Sequence, residues 1–484
     1  MDTPLSPSPP RNRTRFDALV AAGYTQVPVV QRMPLGALRP TDLLRALPPG
    51  HRFLLESTRV SDEGRYSFLG SRPFLRFTAK NGQAFLDGKP EPGAPLDVLR
   101  SLLRRWRGVR LPGMPLFCGG AVGFFSYEAS HYFESLPRHP RDDLGLPDIA
   151  LSFVDTFLAV DHQKEQLLLV ATGSDWEDCA RRLDELETCV RRAVPTPRPV
   201  LPAQEAPTVA YQSNFTQDAY LAAVERVREY IRAGDTYQVN LSQRLRVNFP
   251  GEPLALYELL SAANPVHFAS YLEGDGFQVV SASPERLVRV EDGKATTRPI
   301  AGTRRRGTPE EEARFVHELR TSEKERAEHA MLVDLERNDL GKVCAYGTVE
   351  VTKLMEIIEY AHVLHIESEV TGQLAPGVEP LDVVGALFPG GTITGVPKIR
   401  TMQIITELEP QTRGLYTGSL GYVSFTGDLD LNIVIRTLVV KDGHAYAQVG
   451  GGIVHDSQAR QEFKETLNKA RSQLLALSAC RRAE

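Results

Sequence analysis

Two short acidic pairs carry the clearest chemical signal in this chain. Glu325 and Glu328 stand three positions apart in KERAEHAMLVDLERNDL, and Glu462 and Glu465 stand three positions apart in QEFKETLNKA. Residues at i and i+3 of a helix share one face. Four carboxylates brought together repel one another unless a cation neutralises them, and Mg²⁺ prefers oxygen ligands of this kind. The spacing therefore predicts a Mg²⁺ site that also holds an anionic substrate, although either pair taken alone is more typical of a solvated helix face.

Two further side chains suit an anionic substrate. Arg436 is a lone charge in the apolar run NIVIRTLVV, which we interpret as a strand, and its planar guanidinium matches a carboxylate. A structural salt bridge is the alternative. His365 stands two residues before Glu367, on the same face if the segment is a strand, and can accept a proton near neutral pH. A histidine packed in the core is the alternative there.

Three glycine-rich segments stand beside the predicted acidic helices, and we interpret them as turns, although the third also continues the predicted strand HAYAQVGGGIV. They are RPIAGTRRRG (298–307), FPGGTITGVPK (388–398) and QVGGGIVHDS (448–457). Glycines let backbone N–H groups approach a carboxylate or phosphate without a side chain in the way. Neither G-x-x-x-x-G-K-[ST] nor a strand-linked GxGxxG is present, so nucleotide binding is not indicated.

Composition excludes several classes of protein. The 484 residues are 42% apolar and 24% charged with a net charge of −5, and no dense basic block suggests nucleic acid or an anionic membrane as a partner. Five scattered cysteines without CxxC spacing argue against a zinc site or a disulfide framework. No apolar run approaches the roughly 20 residues of a membrane span, and the N-terminus lacks the apolar core of a signal peptide. We expect a cytoplasmic protein.

Alternating and helical patterns outline the organisation of the chain. Residues 1–18 are predicted to be a disordered tail, 19–193 an N-terminal region, 194–210 a Pro-rich linker and 211–480 a second domain. Helices are predicted near 309–337, 380–387, 397–408 and 459–480, among many long strands. Strands and helices without regular alternation predict an α+β fold, a layered α/β sandwich of large, mostly antiparallel sheets flanked by helices.

The motifs, taken in order, resemble the chorismate-utilising enzymes, and most of all component I of anthranilate synthase. The resemblance runs from about residue 20 to 475 and rests on segments that include LLES, GRYSFLG, GGAVGFFSYE, GDTYQVNLSQR, SASPERLVR and FPGGTITGVPKIRTMQII. It implies a Mg²⁺-dependent reaction in tryptophan biosynthesis in which ammonia adds to chorismate and pyruvate is eliminated. The first region, 19–193, would then be regulatory, and 211–480 the chorismate-binding catalytic domain.

The resemblance also implies roles for individual residues. Glu328 and Glu465 would bind Mg²⁺ directly, with Glu325 and Glu462 assisting. Glu285 would be the general acid on the leaving hydroxyl, His365 would serve the elimination step, and Gln238 stands where relatives that add water carry a lysine base. The residues implied to bind chorismate are Gly302, Thr303, Tyr416, Arg436, Gly450, Gly451, Gly452 and Lys469.

Several alternatives stay open. The nearest is component I of aminodeoxychorismate synthase, many of which carry a lysine where this chain has Ala301. An inactive regulatory paralogue and an isochorismate- or salicylate-forming enzyme are the others. Tryptophan inhibition is implied by Ser57 of LLES, which stands in the regulatory position of the family. His267, Phe268 and Ala269 differ from the residues of tryptophan-sensitive enzymes in the other half of the regulatory pocket. No glutaminase motif is present, so a separate glutamine amidotransferase subunit is expected, with two copies of each chain in a heterotetramer.

Overall fold

Long apolar runs separated by polar turns build two large sheets and the helices that cover them. The computed structural model describes residues 13–58, 64–199, 207–359 and 363–482. Within these ranges the helices are α1 (Arg13–Ala21), α2 (Pro40–Ala46), α3 (Pro95–Arg105), α4 (Trp176–Arg191), α5 (Gln217–Arg232), α6 (Pro253–Ala263), α7 (Pro309–Thr321), α8 (Glu323–Gly341), α9 (Pro380–Leu387), α10 (Lys398–Leu408) and α11 (Ala459–Arg482).

The strands fall on both sides of the predicted linker. They are β1 (Val27–Pro34), β2 (Phe53–Glu56), β3 (Tyr66–Gly70), β4 (Leu75–Lys80), β5 (Gln83–Leu86), β6 (Lys89–Glu91), β7 (Gly120–Phe125), β8 (Ile149–Val154), β9 (Thr156–Asp161), β10 (Gln166–Gly173), β11 (Gln212–Ser213), β12 (Gln238–Asn248), β13 (Phe268–Glu273), β14 (Phe277–Ser283), β15 (Arg286–Glu291), β16 (Lys294–Thr297), β17 (Ile300–Arg305), β18 (Glu350–Glu359), β19 (Val363–Gln373), β20 (Gly395–Val396), β21 (Ser419–Ser424), β22 (Leu429–Ile433), β23 (Thr437–Lys441) and β24 (His444–Ile453).

Two twelve-stranded antiparallel sheets organise these strands. The first has the order β1-β10-β9-β3-β2-β13-β14-β23-β24-β12-β11, with β20 also pairing with β12. The second has the order β17-β19-β16-β15-β22-β21-β7-β8-β4-β5-β6, with β18 also pairing with β19. Each sheet therefore combines strands from before and after the linker.

The sheets pack face to face and helices cover their outer faces. In β10, Leu167, Leu169 and Ala171 pack into the cluster beneath α4, whereas Leu168 and Val170 pack between the two sheets. Alternate residues of a strand point to opposite faces, so a strand buried on both sides reads as a continuous apolar run. The second sheet is covered by α3, α8 and α9. The predicted α+β layered sandwich is confirmed.

The two helices that carry the acidic pairs, α8 and α11, both pack against the sheets or their neighbouring helices. Helix α8 begins after Ser322, whose hydroxyl accepts a hydrogen bond from the backbone N–H of Glu325 at 3.3 Å. Its buried face includes Leu332, Val333 and Leu340. Helix α11 packs on β24 and on α6. Both were predicted to be helical from their sequence periodicity, but the single helix predicted near 309–337 is two helices, α7 and α8, because Ser322 ends the first and caps the second. Helices α8 and α11 each present one polar face to the same space.

The predicted domain boundaries remain a prediction. Helix α1 begins inside the segment 1–18, and residues 1–12 lie outside the described ranges. The predicted linker 194–210 is described only in part, since residues 200–206 lie outside those ranges. None of the helices in the described part of the chain is long and apolar enough to cross a membrane.

Candidate active site

A large cavity opens where α8 and α11 face the ends of several strands. Its volume is about 1260 Å³. It collects most of the predicted site residues: Gln238, Glu285, Gly302, Glu325, Glu328, His365, Tyr416, Arg436, Gly450, Gly452, Glu462, Glu465 and Lys469. Gly451 lies between two lining glycines, and Thr303 lies in β17 with its side chain outside the described atoms. Residues far apart in sequence thus meet in one space.

The two acidic pairs face this cavity from opposite helices. Glu325 and Glu328 lie on α8, and Glu462 and Glu465 lie on α11. In the described part of the chain, no three acidic, histidine or cysteine side chains lie close enough together to hold a metal ion. The shared face of each pair is therefore present, while the four carboxylates do not converge on one point.

Each acidic pair has a basic neighbour. Arg304 Nη1 lies 3.2 Å from Glu325 Oε1, and the same guanidinium reaches Glu318 at 3.4 Å. On α11, Lys469 Nζ lies 2.9 Å from Glu465 Oε1 and 3.1 Å from the carbonyl oxygen of Gly450. Both cations line the cavity. The acidic pairs are thus partly neutralised by the protein itself.

Two glycines make room for these carboxylates. Gly302 has a φ of +55°, and a Cβ there would lie 3.0 Å from Glu325 Oε2. A Cβ on Gly451 would lie 3.5 Å from Glu462 Oε2 and 3.9 Å from Glu465 Oε1. Side chains longer than Cβ would occupy the space in front of both acidic pairs, so glycine keeps that space open for oxygen ligands or substrate.

Arg436 marks a correction to the predicted strand. The run NIVIRTLVV is two strands, β22 in the second sheet and β23 in the first, and Arg436 lies in the break with a φ of +52°. The chain must cross between sheets here, and a left-handed residue turns it. In the described ranges no acidic side chain pairs with Arg436, and burial lowers its pKa. A half-buried cation that stays charged and has no acidic partner fits an anionic ligand.

Glu285 is a buried carboxyl between β14 and β15. Its side chain is 8% exposed, and its Oε1 accepts a hydrogen bond from Thr392 Oγ1 at 2.9 Å. Burial raises its pKa to about 7, which the Thr392 hydrogen bond opposes and the negative charge of Glu367 reinforces. A pKa near 7 means that this carboxyl can carry a proton at neutral pH. The group can act as an acid.

His365 faces the cavity from β19. It pairs across the ladder with Thr303, and its Nδ1 lies 3.3 Å from the carbonyl oxygen of Gly302. A carbonyl only accepts, so this bond assigns the proton to Nδ1 and the lone pair to Nε2. Burial lowers the pKa of His365 to about 4, the Gly302 carbonyl opposes this, and the charge of Arg436 adds to it. The imidazole is neutral at pH 7 and can accept a proton.

A row of uncharged polar groups completes the wall. Gln238 and Asn240 lie two apart in β12 and both line the cavity. Gln238 is 5% exposed, and its Oε1 has no hydrogen-bond partner among the described residues. Tyr416 Oη donates to Asn240 Oδ1 at 3.4 Å. An amide at position 238 offers hydrogen bonds and lacks the basicity of an amine.

Two of the predicted turns are strands. Gly450, Gly451 and Gly452 lie in β24 and pair with Ser242, Leu241 and Asn240 of β12, and Gly302 lies in β17 at a bulge opposite β19. The prediction of a turn is wrong at Gly302, because sheet pairing satisfies the backbone there. At the three consecutive glycines the predicted strand HAYAQVGGGIV is present and the alternative of a turn is wrong. The segment 388–398 is mostly irregular, with a short 3₁₀ turn at Gly391–Ile393 and the two-residue strand β20. In the described ranges, the pairing between β23 and β24 ends at Ala447, so the glycines of β24 pair with β12 and not with β23.

Comparison with known proteins identifies the family of this chain. A family model described as chorismate binding enzyme matches residues 50–475. The chain belongs to the chorismate-binding enzyme family.

Named members of this family include two kinds of enzyme. The chain is 44% identical over 88% of its length to anthranilate synthase component 1 of Thermus thermophilus, of which it covers 92%. It is 43% identical over 87% of its length to aminodeoxychorismate synthase component 1 of Bacillus subtilis, of which it covers 90%. A crystal structure of anthranilate synthase component I from Streptococcus pneumoniae superposes with a TM-score of 0.78 at 34% identity, over 92% of this chain and 99% of that one.

A second, smaller cavity gathers the residues predicted to be regulatory. It measures about 350 Å³, and Ser57, His267, Phe268 and Ala269 all line it. Ser57 Oγ lies 3.5 Å from His267 Nδ1. The Arg286 guanidinium lies 5.2 Å from the centre of the Phe268 ring. The four residues share one site in this chorismate-binding enzyme, and their role remains a prediction.

Sequence reasoning missed three residues of the main site. Thr392 holds Glu285, Arg304 holds Glu325, and Asn240 holds Tyr416. Thr392 and Arg304 stand inside segments singled out for their glycines, so the signal was present. Asn240 is two positions after Gln238, and strand periodicity alone places both on one face.

Proposed function

We propose that this chain is component 1 of an anthranilate synthase. It would convert chorismate and ammonia to anthranilate, pyruvate and water. Ammonia adds at C2 of the ring as the 4-hydroxyl leaves, and loss of the C2 proton with the enolpyruvyl group then makes the ring aromatic. The observation that carries the proposal is one cavity with a protonatable Glu285, a neutral His365 and an Arg436 that has no acidic partner in the described ranges.

Glu285 supplies the proton for the leaving hydroxyl. Because Thr392 donates to Oε1, the proton of the neutral carboxyl belongs on Oε2, the oxygen that is left to face the substrate. A pKa near 7 lets the group hold a proton at neutral pH and still release it to a developing hydroxide. An ordinary exposed glutamate would be almost fully ionised there.

His365 accepts the proton from C2 in the elimination half. Its neutral state at pH 7 and the lone pair on Nε2 are both required for this step. The hydrogen bond to the Gly302 carbonyl fixes the ring orientation and the tautomer. Since the pKa of the free site lies near 4, protonation of the base does not limit the reaction until the solution is strongly acidic.

Arg436 and the end of β24 bind the enolpyruvyl carboxylate. Arg436 provides the positive charge, and the backbone of Gly450 and Gly452 lines the cavity beside it. An arginine–carboxylate pair in a largely buried site is stronger than an exposed one because water screens it less. The other predicted chorismate contacts are Gly302, Thr303, Tyr416, Gly451 and Lys469.

The acidic pairs fit a Mg²⁺ ion by the chemistry of their donors. They offer only oxygen ligands, and Gly302 and Gly451 keep the space before them open. Glu328 and Glu465 would bind the ion, with Glu325 and Glu462 assisting. When bound, Mg²⁺ would neutralise the ring carboxylate of chorismate and help to position it.

Ammonia as the nucleophile is supported by two neutral side chains. Gln238 cannot deprotonate a water molecule as a lysine would, and Ala301 cannot form a covalent bond to the ring. The second candidate function is aminodeoxychorismate synthase component 1, which the 43% identity to the Bacillus subtilis protein favours. In that case the same site would aminate C4, retain the enolpyruvyl group, and work without the lysine.

A partner and a regulator follow from the proposal. The relatives are named as component 1, and ammonia would come from glutamine through a glutamine amidotransferase subunit in a cytoplasmic heterotetramer. Tryptophan would bind the 350 Å³ cavity lined by Ser57 and His267 and inhibit the enzyme. His267, Phe268 and Ala269 would set its affinity.

The test is a product assay with the purified chain, chorismate, Mg²⁺ and ammonium at about pH 8.5. Anthranilate and pyruvate in equal amounts are the expected products. Aminodeoxychorismate without pyruvate would assign the chain to the second candidate function. No product in the presence of ammonium and Mg²⁺ would contradict both. Adding tryptophan to the active reaction then tests the second cavity.

A further inference from the structure

Each acidic pair is paired with a basic side chain of this chain, Arg304 of β17 or Lys469 of α11. Arg304 lies against Glu325, and Lys469 lies against Glu465, each within ion-pair distance. Both basic side chains line the same cavity as the carboxylates they neutralise. A divalent ion that bound these carboxylates would compete with the basic side chains for the same negative charge, because cations close to one carboxylate repel each other.

Lys469 has a second role in the same space. Its Nζ also donates to the carbonyl oxygen of Gly450, so it stands between Glu465 and the end of β24 where an anionic substrate would lie. Once Glu465 turns to a metal ion, the ammonium loses its carboxylate partner. It then becomes available to a carboxylate of the substrate.

We propose that Arg304 and Lys469 are internal counter-ions of the metal-binding acids, and that their exchange couples metal binding to substrate binding. Without ligands, they hold Glu325 and Glu465 in ion pairs. Metal binding releases Lys469 toward an anion, and anion binding draws Lys469 away from Glu465. By thermodynamic linkage each ligand must then raise the affinity for the other by the same factor. This inference rests on the proposed function for the Mg²⁺ ion and for the identity of the anion.

The first experiment measures Mg²⁺ binding to the ligand-free protein by calorimetry. Lys469→Met should bind Mg²⁺ about 2- to 5-fold more tightly than the unmodified chain, the range expected for a partly exposed ion pair. Arg304→Met should have an effect of about 5- to 10-fold, because its partner is only 20% exposed and is screened less. The matched control is Lys464→Met, which removes an exposed charge from the same helix outside the cavity.

The second experiment repeats the titration with chorismate and without ammonium. Chorismate should tighten Mg²⁺ binding in the unmodified chain, and Lys469→Met should reduce that factor at least several-fold while Lys464→Met preserves it. Mg²⁺ binding to Lys469→Met and Arg304→Met no tighter than to Lys464→Met would overturn the inference and leave the proposed function intact. Absence of Mg²⁺ binding at millimolar concentration in every variant would overturn both. Anthranilate formation together with the expected affinities would support both.

Discussion

Replacement of Glu285 by glutamine should stabilise the protein above neutral pH while it removes the general acid. The carboxyl is 8% exposed, and burial raises its pKa from an ordinary 4.5 to about 7. Between these values the unfolded chain has lost the proton and the folded chain retains it. The folded state then binds more protons, so its stability falls as pH rises through this window.

The size of the effect follows from the same two values. A span of about 2.5 pH units at about 1.36 kcal/mol each amounts to about 3 kcal/mol, fully lost above about pH 7. Glutamine keeps the shape, can still accept from Thr392, and has no charge to bury. E285Q should therefore exceed the unmodified chain by about 3 kcal/mol in free energy of unfolding at pH 8, and by less than about 1 kcal/mol at pH 5.

Urea unfolding at pH 5 and pH 8 measures both differences. The difference between E285Q and the unmodified chain at the same pH removes the contributions of other buried acids, such as Glu128 and Glu336, because both proteins carry them. Glu350→Gln, on the exposed edge of β18, is the control and should show no such pH dependence. Equal stability of E285Q and the unmodified chain at pH 8 would refute a raised pKa at Glu285. The role of Glu285 as a neutral acid would then lose its physical basis.

Three other perturbations have expected outcomes. Arg436→Gln should raise the KM for chorismate about 100-fold through loss of a largely buried charge pair, and an unchanged KM in steady-state assays would remove it from the carboxylate site. Glu328→Gln should weaken Mg²⁺ and chorismate binding together, measured by calorimetry, while Asp334→Asn on the exposed side of α8 changes neither; retained Mg²⁺ affinity would exclude Glu328 as a ligand. His365→Ala should slow pyruvate release more than ring amination, so that an aminated intermediate accumulates in chromatography. An equal loss of both steps would contradict its role as the base of the elimination.

The helices and their polar faces could be predicted from the sequence because the interactions that define them are local. Helix α9 (Pro380–Leu387) begins at a proline and follows the predicted bounds, and α11 begins at the predicted residue. Each acidic pair needs only a spacing of three residues to share a face. The alternation in β19 likewise placed His365 and Glu367 on one side of the strand before any fold was known.

Sheet membership could not be predicted in this way. NIVIRTLVV reads as one apolar strand, yet β22 and β23 belong to different sheets and Arg436 turns the chain between them. The glycines at 450–452 fit both a turn and the end of a strand, and no local pattern shows that they pair with β12, which lies some 200 positions earlier. Which strand a segment pairs with depends on contacts between residues far apart in the sequence, and the local pattern does not predict these contacts.

The sequence by itself determined which chemical groups this protein has and which of them share a helix or strand face, because both depend only on residue type and short spacing. The tertiary structure alone decided that α8 and α11 face one cavity and that burial brings Glu285 to a pKa near 7. It also decided that Arg304 pairs with Glu325 and Lys469 with Glu465. Arg436 has no acidic partner among the described residues. Solvent exclusion and charge pairing arise only when elements far apart in the chain pack together, and those two quantities set the chemistry of the site.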